Sequence, residues 1–254
     1  MGLINFNCDA HLGDGIMALS ILDSITKIND IKFNIYGCHP KLLEFAVGCE
    51  KINMSIDKYS GTEEIYNTWC GNYNFNPLST VKIKGYETTV IDYFKFLFSN
   101  IIKTDIIFPF DVLFSSSLYS LTTLKKLNNI EEYDYLIINS DSFSGQCDNI
   151  EKDAMFEQYI NYLVSKGFSL WCTKYVPNLH ESVKFADKMG LRDIGELSLK
   201  SKNIIGIGTG PMVACYNDGN IYKDIIVIDD SHIHPWIGNT ISITMKEFIS
   251  CLKE

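Results

Sequence analysis

The 254-residue sequence is short of proline, with 6, and has no low-complexity tract. Long disordered stretches are therefore not expected. It has no surplus of positive charge. Its 22 Lys and Arg stand against 31 Asp and Glu, a formal net charge of −9. Nucleic-acid phosphates demand a basic surface. Lys82/Lys84 and Lys125-Lys126 are too short as clusters to make one, so generic nucleic-acid binding is excluded. A local pocket for one small phosphorylated ligand is not. No apolar run approaches the length of a membrane span. The 8 cysteines include no Cys-x-x-Cys pair, which argues against a zinc site. Several lie in apolar runs, such as Cys172 after Leu170-Trp171, where a thiol packs as a small hydrophobe. The first residues run straight into a strand pattern without a secretory leader. The expectation is a reduced, cytoplasmic protein with no transmembrane segment.

What the sequence does have is alternation. Strand-length apolar runs at 3–8, 31–36 and 51–56 are separated by helical patterns at 15–28 and 41–47. A β-α-β-α-β succession implies a parallel sheet. Residues 60–90 read as loops with short strands, 92–102 and 118–127 as helices, and 105–110 as extended. The polar run 128–132 reads as a linker. Beyond it the alternation restarts. Strands are expected at 135–139, 168–173, 203–207 and 224–228. Helices are expected at 156–166, 182–189, from 211, and at 244–252. The pattern implies two Rossmann-like domains with parallel sheets, 1–128 and 129–254, facing across a cleft. The last helix is expected to pack back on the first domain.

Three strand-to-helix turns carry candidate chemistry, because ligands of open parallel sheets bind beyond the carboxyl ends of strands. The first is His11-Leu12-Gly13-Asp14-Gly15-Ile16. Gly13 and Gly15 permit a tight turn and a close ligand. Asp14 is either a helix N-cap or a reacting carboxylate. The second is Gly206-Ile207-Gly208-Thr209-Gly210-Pro211-Met212, where free backbone N–H groups and a hydroxyl make an anion site. The third is Asn139-Ser140-Asp141-Ser142-Phe143-Ser144, which is either a phosphate cradle or an ordinary Ser/Asp turn. Trp69, Tyr73 and Phe75 either stack on a sugar or cover the first core. His232 and His234 share a face of an extended segment, but no third metal ligand is visible.

The pairing of the Gly13-Asp14-Gly15-Ile16 turn with the late Thr209-Gly210-Pro211-Met212 turn resembles the GT-B glycosyltransferases, especially the heptosyltransferase-like family 9. Gly195-Glu196-Leu197-Ser198-Leu199 resembles the short helix before that family's late strand. The resemblance is loose over 3–25 and closer over 133–217, and 55–130 matches no known pattern. It implies a metal-independent, inverting transferase with a nucleoside-diphosphate sugar as donor and a carbohydrate hydroxyl as acceptor. It makes Asp14 the general base. It puts the donor diphosphate on Thr209, Gly210, Pro211, Met212, Ser142, Ser144 and Lys174. Glu196 and Ser140 would meet the donor sugar or nucleoside. His11, Gly13, Gly15 and Trp69 would lie on the acceptor side. No cofactor or metal is implied. The family usually has an acidic residue before Thr-Gly-Pro and a histidine soon after, where this chain has Gly208 and Val213. That departure keeps two alternatives open: a sugar-nucleotide epimerase or hydrolase of the same fold, and a catalytically inactive nucleotide-sugar binder.

Overall fold

A computed structural model of the chain describes residues 2–8, 12–45, 49–68, 90–108, 129–140, 150–220, 222–228 and 240–251. The chain divides into two compact units, Met1–Leu118 and Tyr119–Glu254. That division falls within 109–128, outside the described residues.

In the first unit the order is β1 (Gly2–Asn7), α1 (Leu12–Ile28), β2 (Ile31–Tyr36), α2 (Pro40–Phe45), β3 (Ile52–Met54), β4 (Ile65–Asn67) and α3 (Val90–Phe96). A π-helical turn, Leu97–Ile102, follows. The sheet is parallel, with strand order β3-β2-β1-β4. Side chains alternate along a strand, and the register sets Phe6 beside Ile35 and Ile4 beside Phe33 on one face. Phe94 and Phe98 close on that face, at 6.0 and 6.3 Å from the Phe6 ring centroid.

The second unit runs β5 (Tyr133–Ile138), α4 (Ile150–Ser165), β6 (Leu170–Cys172), β7 (Lys184–Phe185), α5 (Leu191–Ser198), β8 (Ser201–Ile207), α6 (Gly210–Ala214), β9 (Asp224–Ile228), β10 (Thr240–Ile243) and α7 (Met245–Cys251). Its sheet is also parallel, in the order β10-β9-β8-β5-β6-β7. Counted from β5, this is the 3-2-1-4-5-6 order of doubly wound dinucleotide-binding sheets. Ile137, Ile205, Leu170 and Cys172 form its core with Phe156 of α4 and Phe248 of α7. Thr244 caps α7 reciprocally: its hydroxyl accepts from the Glu247 N–H at 3.2 Å, and Glu247 Oε2 takes the Thr244 N–H at 2.7 Å. That is a capping box.

Two expectations are corrected. Residues 182–189 are not helical. Val183 and Ala186 are buried around the short strand β7, which pairs with Trp171 and Cys172. An eight-residue helix is marginal on its own, and pairing at the sheet edge prevails. The helix starts instead at Leu191, and Gly190 is its N-cap rather than the terminator of a preceding helix. Finally, α1 begins at Leu12, so Gly13, Asp14 and Gly15 belong to its first turns and not to an open turn before it. A glycine weakens a helix by about 1 kcal/mol, but here packing overrides propensity. A Cβ on Gly15 would meet Leu42 Cδ2 of α2 at 2.9 Å. The helix expected at 118–127 lies outside the described residues.

Candidate functional site

Where strand order reverses, the loops leaving two neighbouring strands part in opposite directions and open a crevice at their carboxyl ends. In the second unit this point lies between β5 and β8, which pair from Tyr133–Ser201 to Ile138–Gly206. Asn139-Ser140 follows β5, and Gly208-Thr209 follows β8. Ser140 of the third turn and Thr209 of the second thus stand at the carboxyl ends of neighbouring strands. Lys174 leaves the neighbouring strand β6 at the same end.

Side-chain bonds tie the β5 and β6 ends together. Asn139 is buried and grips the backbone of Lys174, accepting its N–H at 2.9 Å and donating to its carbonyl at 3.2 Å. The Thr173 hydroxyl accepts the N–H groups of Asn139 and Ser140 at 3.1 and 3.2 Å. It lies 2.6 Å from Ser140 Oγ. Thr173 was missed in the sequence reading, and Asn139 was read there only as the first residue of the third turn. The available signal was their position, each the first polar residue after an apolar strand. The Lys174 ammonium is held by Asp153 of α4 at 3.0 Å. Ser142 and Ser144 lie outside the described residues.

On the β8 side, Thr209 is the N-cap of α6 in extended conformation, with Pro211 in the first turn. The Thr209 N–H is taken by the Ile207 carbonyl at 2.8 Å, and the Thr209 carbonyl receives the Val213 N–H at 3.0 Å. The first N–H groups of a helix have no acceptor within it. Gly210 and Met212 supply such groups, whereas Pro211 has none. The Met212 side chain is fully buried in the core. Glu196 is also buried, 3.7 Å from Arg192 Nε one turn earlier in α5.

The first unit has the equivalent reversal between β1 and β4. Asn7 and Asn67 end these strands in register, their side chains bonded at 3.4 Å. The Thr68 N–H reaches the Asn7 carbonyl at 3.0 Å, and Tyr93 Oη donates to the Asn67 carbonyl at 2.7 Å. The first turn of α1, with Gly13, Asp14 and Gly15, begins beyond β1. Cys8 and Cys38 are buried there as thiols. Their mutual hydrogen bond, and burial after it, push the Cys38 thiol far above its ordinary range. His11 and Trp69, and with them Tyr73, Phe75, His232 and His234, fall outside the described residues. Among the described residues, no group of three or more His, Cys, Asp or Glu is placed to hold a metal ion.

Both crevices are at carboxyl ends of parallel strands, and solved structures share the architecture around them. The Escherichia coli heptosyltransferase WaaC, solved with ADP-2-deoxy-2-fluoro heptose, matches with a TM-score of 0.65 at 12% identity, over 98% of this chain and 99% of that one. The fold is GT-B-like. A glycosyl transferase family 9 protein from Veillonella parvula matches with a TM-score of 0.61 at 11% identity, over 99% of this chain and 88% of that one. A more distant likeness is to a UDP-N-acetylglucosamine 2-epimerase, named as putative, from Listeria monocytogenes. It has a TM-score of 0.50 at 10% identity, over 92% of this chain and 81% of that one. No family model and no curated protein matches the sequence. No described helix is long and apolar enough to cross a membrane.

Proposed function

We propose that the protein moves a sugar from a nucleoside-diphosphate sugar to a hydroxyl acceptor, inverting the anomeric centre without a metal. The observation that carries this reading is the reversal point between β5 and β8. There the Ser140–Thr173 hydroxyl pair and the start of α6 stand at the mouths of neighbouring strands. The WaaC structure, whose fold this chain shares, was solved with an ADP-sugar analogue, which supports the choice of donor class.

In this reading the diphosphate rests on the Gly210 and Met212 N–H groups and on Thr209, Ser142 and Ser144. Lys174 is released from Asp153 to join it, and Ser140 serves the sugar or nucleoside side. The acceptor oxygen attacks the anomeric carbon. The bond from that carbon to the diphosphate breaks, and its electron pair leaves on the phosphate oxygen. Asp14 takes the acceptor's proton. Hydrogen-bond donors already in place for the developing charge avoid reorganisation during reaction, and losing one costs about a hundredfold in rate or more. His11, Gly13, Gly15 and Trp69 serve the acceptor side. The division of labour is one domain of 1–128 for the acceptor and one of 129–254 for the donor.

A second reading, release of free sugar and nucleotide without an acceptor, is favoured by the likeness to the Listeria epimerase. A third, binding without turnover, is motivated by Gly208 and Val213. A thermal-shift screen with ADP-, UDP-, GDP- and CDP-sugars, followed by turnover assays on wild type and Asp14→Asn, separates the three. Transfer requires donor stabilisation and acceptor-dependent turnover that Asp14→Asn loses. Turnover without an acceptor supports the second reading, and stabilisation with no turnover supports the third. No stabilisation by any donor sinks all of them.

A further inference from the structure

The face of the first sheet opposite Phe6 and Phe33 is built from amides. Asn5, Asn34 and Asn53 stand side by side across β1, β2 and β3 in strict register. They form a hydrogen-bonded ladder. Asn53 Nδ2 donates to Asn34 Oδ1 at 3.0 Å, Asn34 Nδ2 to Asn5 Oδ1 at 2.9 Å, and Asn5 Nδ2 to Glu63 Oε2 at 2.9 Å. No helix makes the crossover from β3 to β4. Residues 55–64 make it, and they reach this face through Glu63 and through Tyr59, whose ring lies 4.9 Å from that of Tyr36. They leave its other end open. Lys32 and Asn53 are exposed, Leu3 is 53% exposed, and Asn34 is half-buried.

A side-chain amide has two N–H donors and an oxygen with two lone pairs. The ladder takes one N–H and one lone pair of Asn34, and a single N–H of Asn53. Each therefore keeps an N–H and acceptor capacity on the open face. Parallel strands fix these groups about 4.8 Å apart, so they are uncharged, paired and held in place before any ligand arrives. We propose that this face binds a neutral glycan chain. Sugar hydroxyls both donate and accept, which is what the ladder offers in return. The Tyr36–Tyr59 pair beside it supplies the aromatic surface on which a sugar ring rests. Among the strand residues of β1 and β2 on this face Lys32 is the one cation, and Glu63 brings a carboxylate to it, which gives no basis for holding a polyanion, and one exposed leucine is too little for an apolar partner. In β1 and β2 the ladder lies two residues before the strand ends, and Tyr36, level with Asn7, adjoins the reversal point of its own unit; neutral oligosaccharides carry no nucleotide, so the proposal does not rest on the transfer reading.

The test is a titration of 15N-labelled protein with neutral hexasaccharides of glucose, mannose and N-acetylglucosamine, following the side-chain amide resonances of Asn34 and Asn53. At least one hexasaccharide is expected to shift both. Asn53→Ala is expected to weaken binding about tenfold, the worth of a good hydrogen bond. Asn100→Ala, an exposed amide on the π-helical turn bonded to the Phe96 carbonyl, is expected to leave it unchanged. If no hexasaccharide moves these resonances, or if Asn53→Ala binds like wild type, the proposal is overturned. Nucleotide-sugar stabilisation is read separately, so loss of one result leaves the other standing.

Discussion

Asp134, near the start of β5, joins three strands through one carboxylate. It receives Lys202 Nζ of β8 at 2.8 Å, and the N–H and hydroxyl of Ser169, just before β6, both at 2.9 Å. The Lys202 bond first, and the Ser169 backbone bond next, draw its pKa from 3.8 down to about 2. A depressed carboxylate contributes stability above its unfolded value and loses it as pH falls through the folded one. Wild type is therefore expected to lose thermal stability between pH 3.8 and about 2. Asp134→Asn is expected to start lower at pH 6 and to fall less across that window. Parallel melting curves would contradict the assignment. At Asp14 the expected outcome is kinetic. Asp14→Asn should slow transfer by a factor of about 10² to 10⁴, the usual contribution of a general base, while donor-induced thermal stabilisation is retained. Asp14 was visible in the sequence because glycines flank it. Thr173 was not, because a single threonine after three apolar residues carries no pattern until the strand pairing sets it under Ser140.

Elements were legible where an apolar run and its breakers agreed. The β8–α6 junction shows this: an isoleucine-rich strand, then glycine, threonine and proline, gave a strand, a cap and a first helical turn in that order. Legibility failed where the partner of a segment decides its state. Residues 182–189 have helical spacing, but the free edge of β6 takes Lys184 and Phe185 as a strand. Strand β10, Thr240–Ile243, went unforeseen because its four residues matter only beside β9. Close approach between strands is equally invisible in the sequence. Gly206 lies against the Ile138 backbone so tightly that a Cβ would overlap it. Gly206→Ala is expected to force β8 from β5 at the proposed donor crevice, lowering stability by about 1–3 kcal/mol. A fall in melting temperature together with weakened donor binding would bear this out, and a neutral variant would contradict it. In the first unit, Phe6 is fully buried among Phe33, Tyr66, Phe94 and Phe98. Phe6→Ala is expected to reduce unfolding free energy by about 3–5 kcal/mol in a urea titration.

At the scale of the molecule, the second unit's 3-2-1-4-5-6 strand order has its first four positions repeated in the first unit. The same physics therefore operates twice. Right-handed crossovers run outward in two directions from a central strand and leave a crevice at its carboxyl end. Among the described sequence candidates, Gly13, Asp14 and Gly15 lie in the first turns of the helix that follows β1, and Ser140 and Thr209 follow β5 and β8, at the two reversal points. Glu196 does not lie there: it is buried within α5 beside Arg192. The central claim is that a nucleoside diphosphate sits at the β5–β8 reversal. It is tested most directly by crystals soaked with ADP, UDP, GDP and CDP. The account expects diphosphate density against the Gly210 and Met212 N–H groups, with Ser140 and Thr173 alongside. A nucleotide bound elsewhere on the chain, or no nucleotide bound at all, would contradict it.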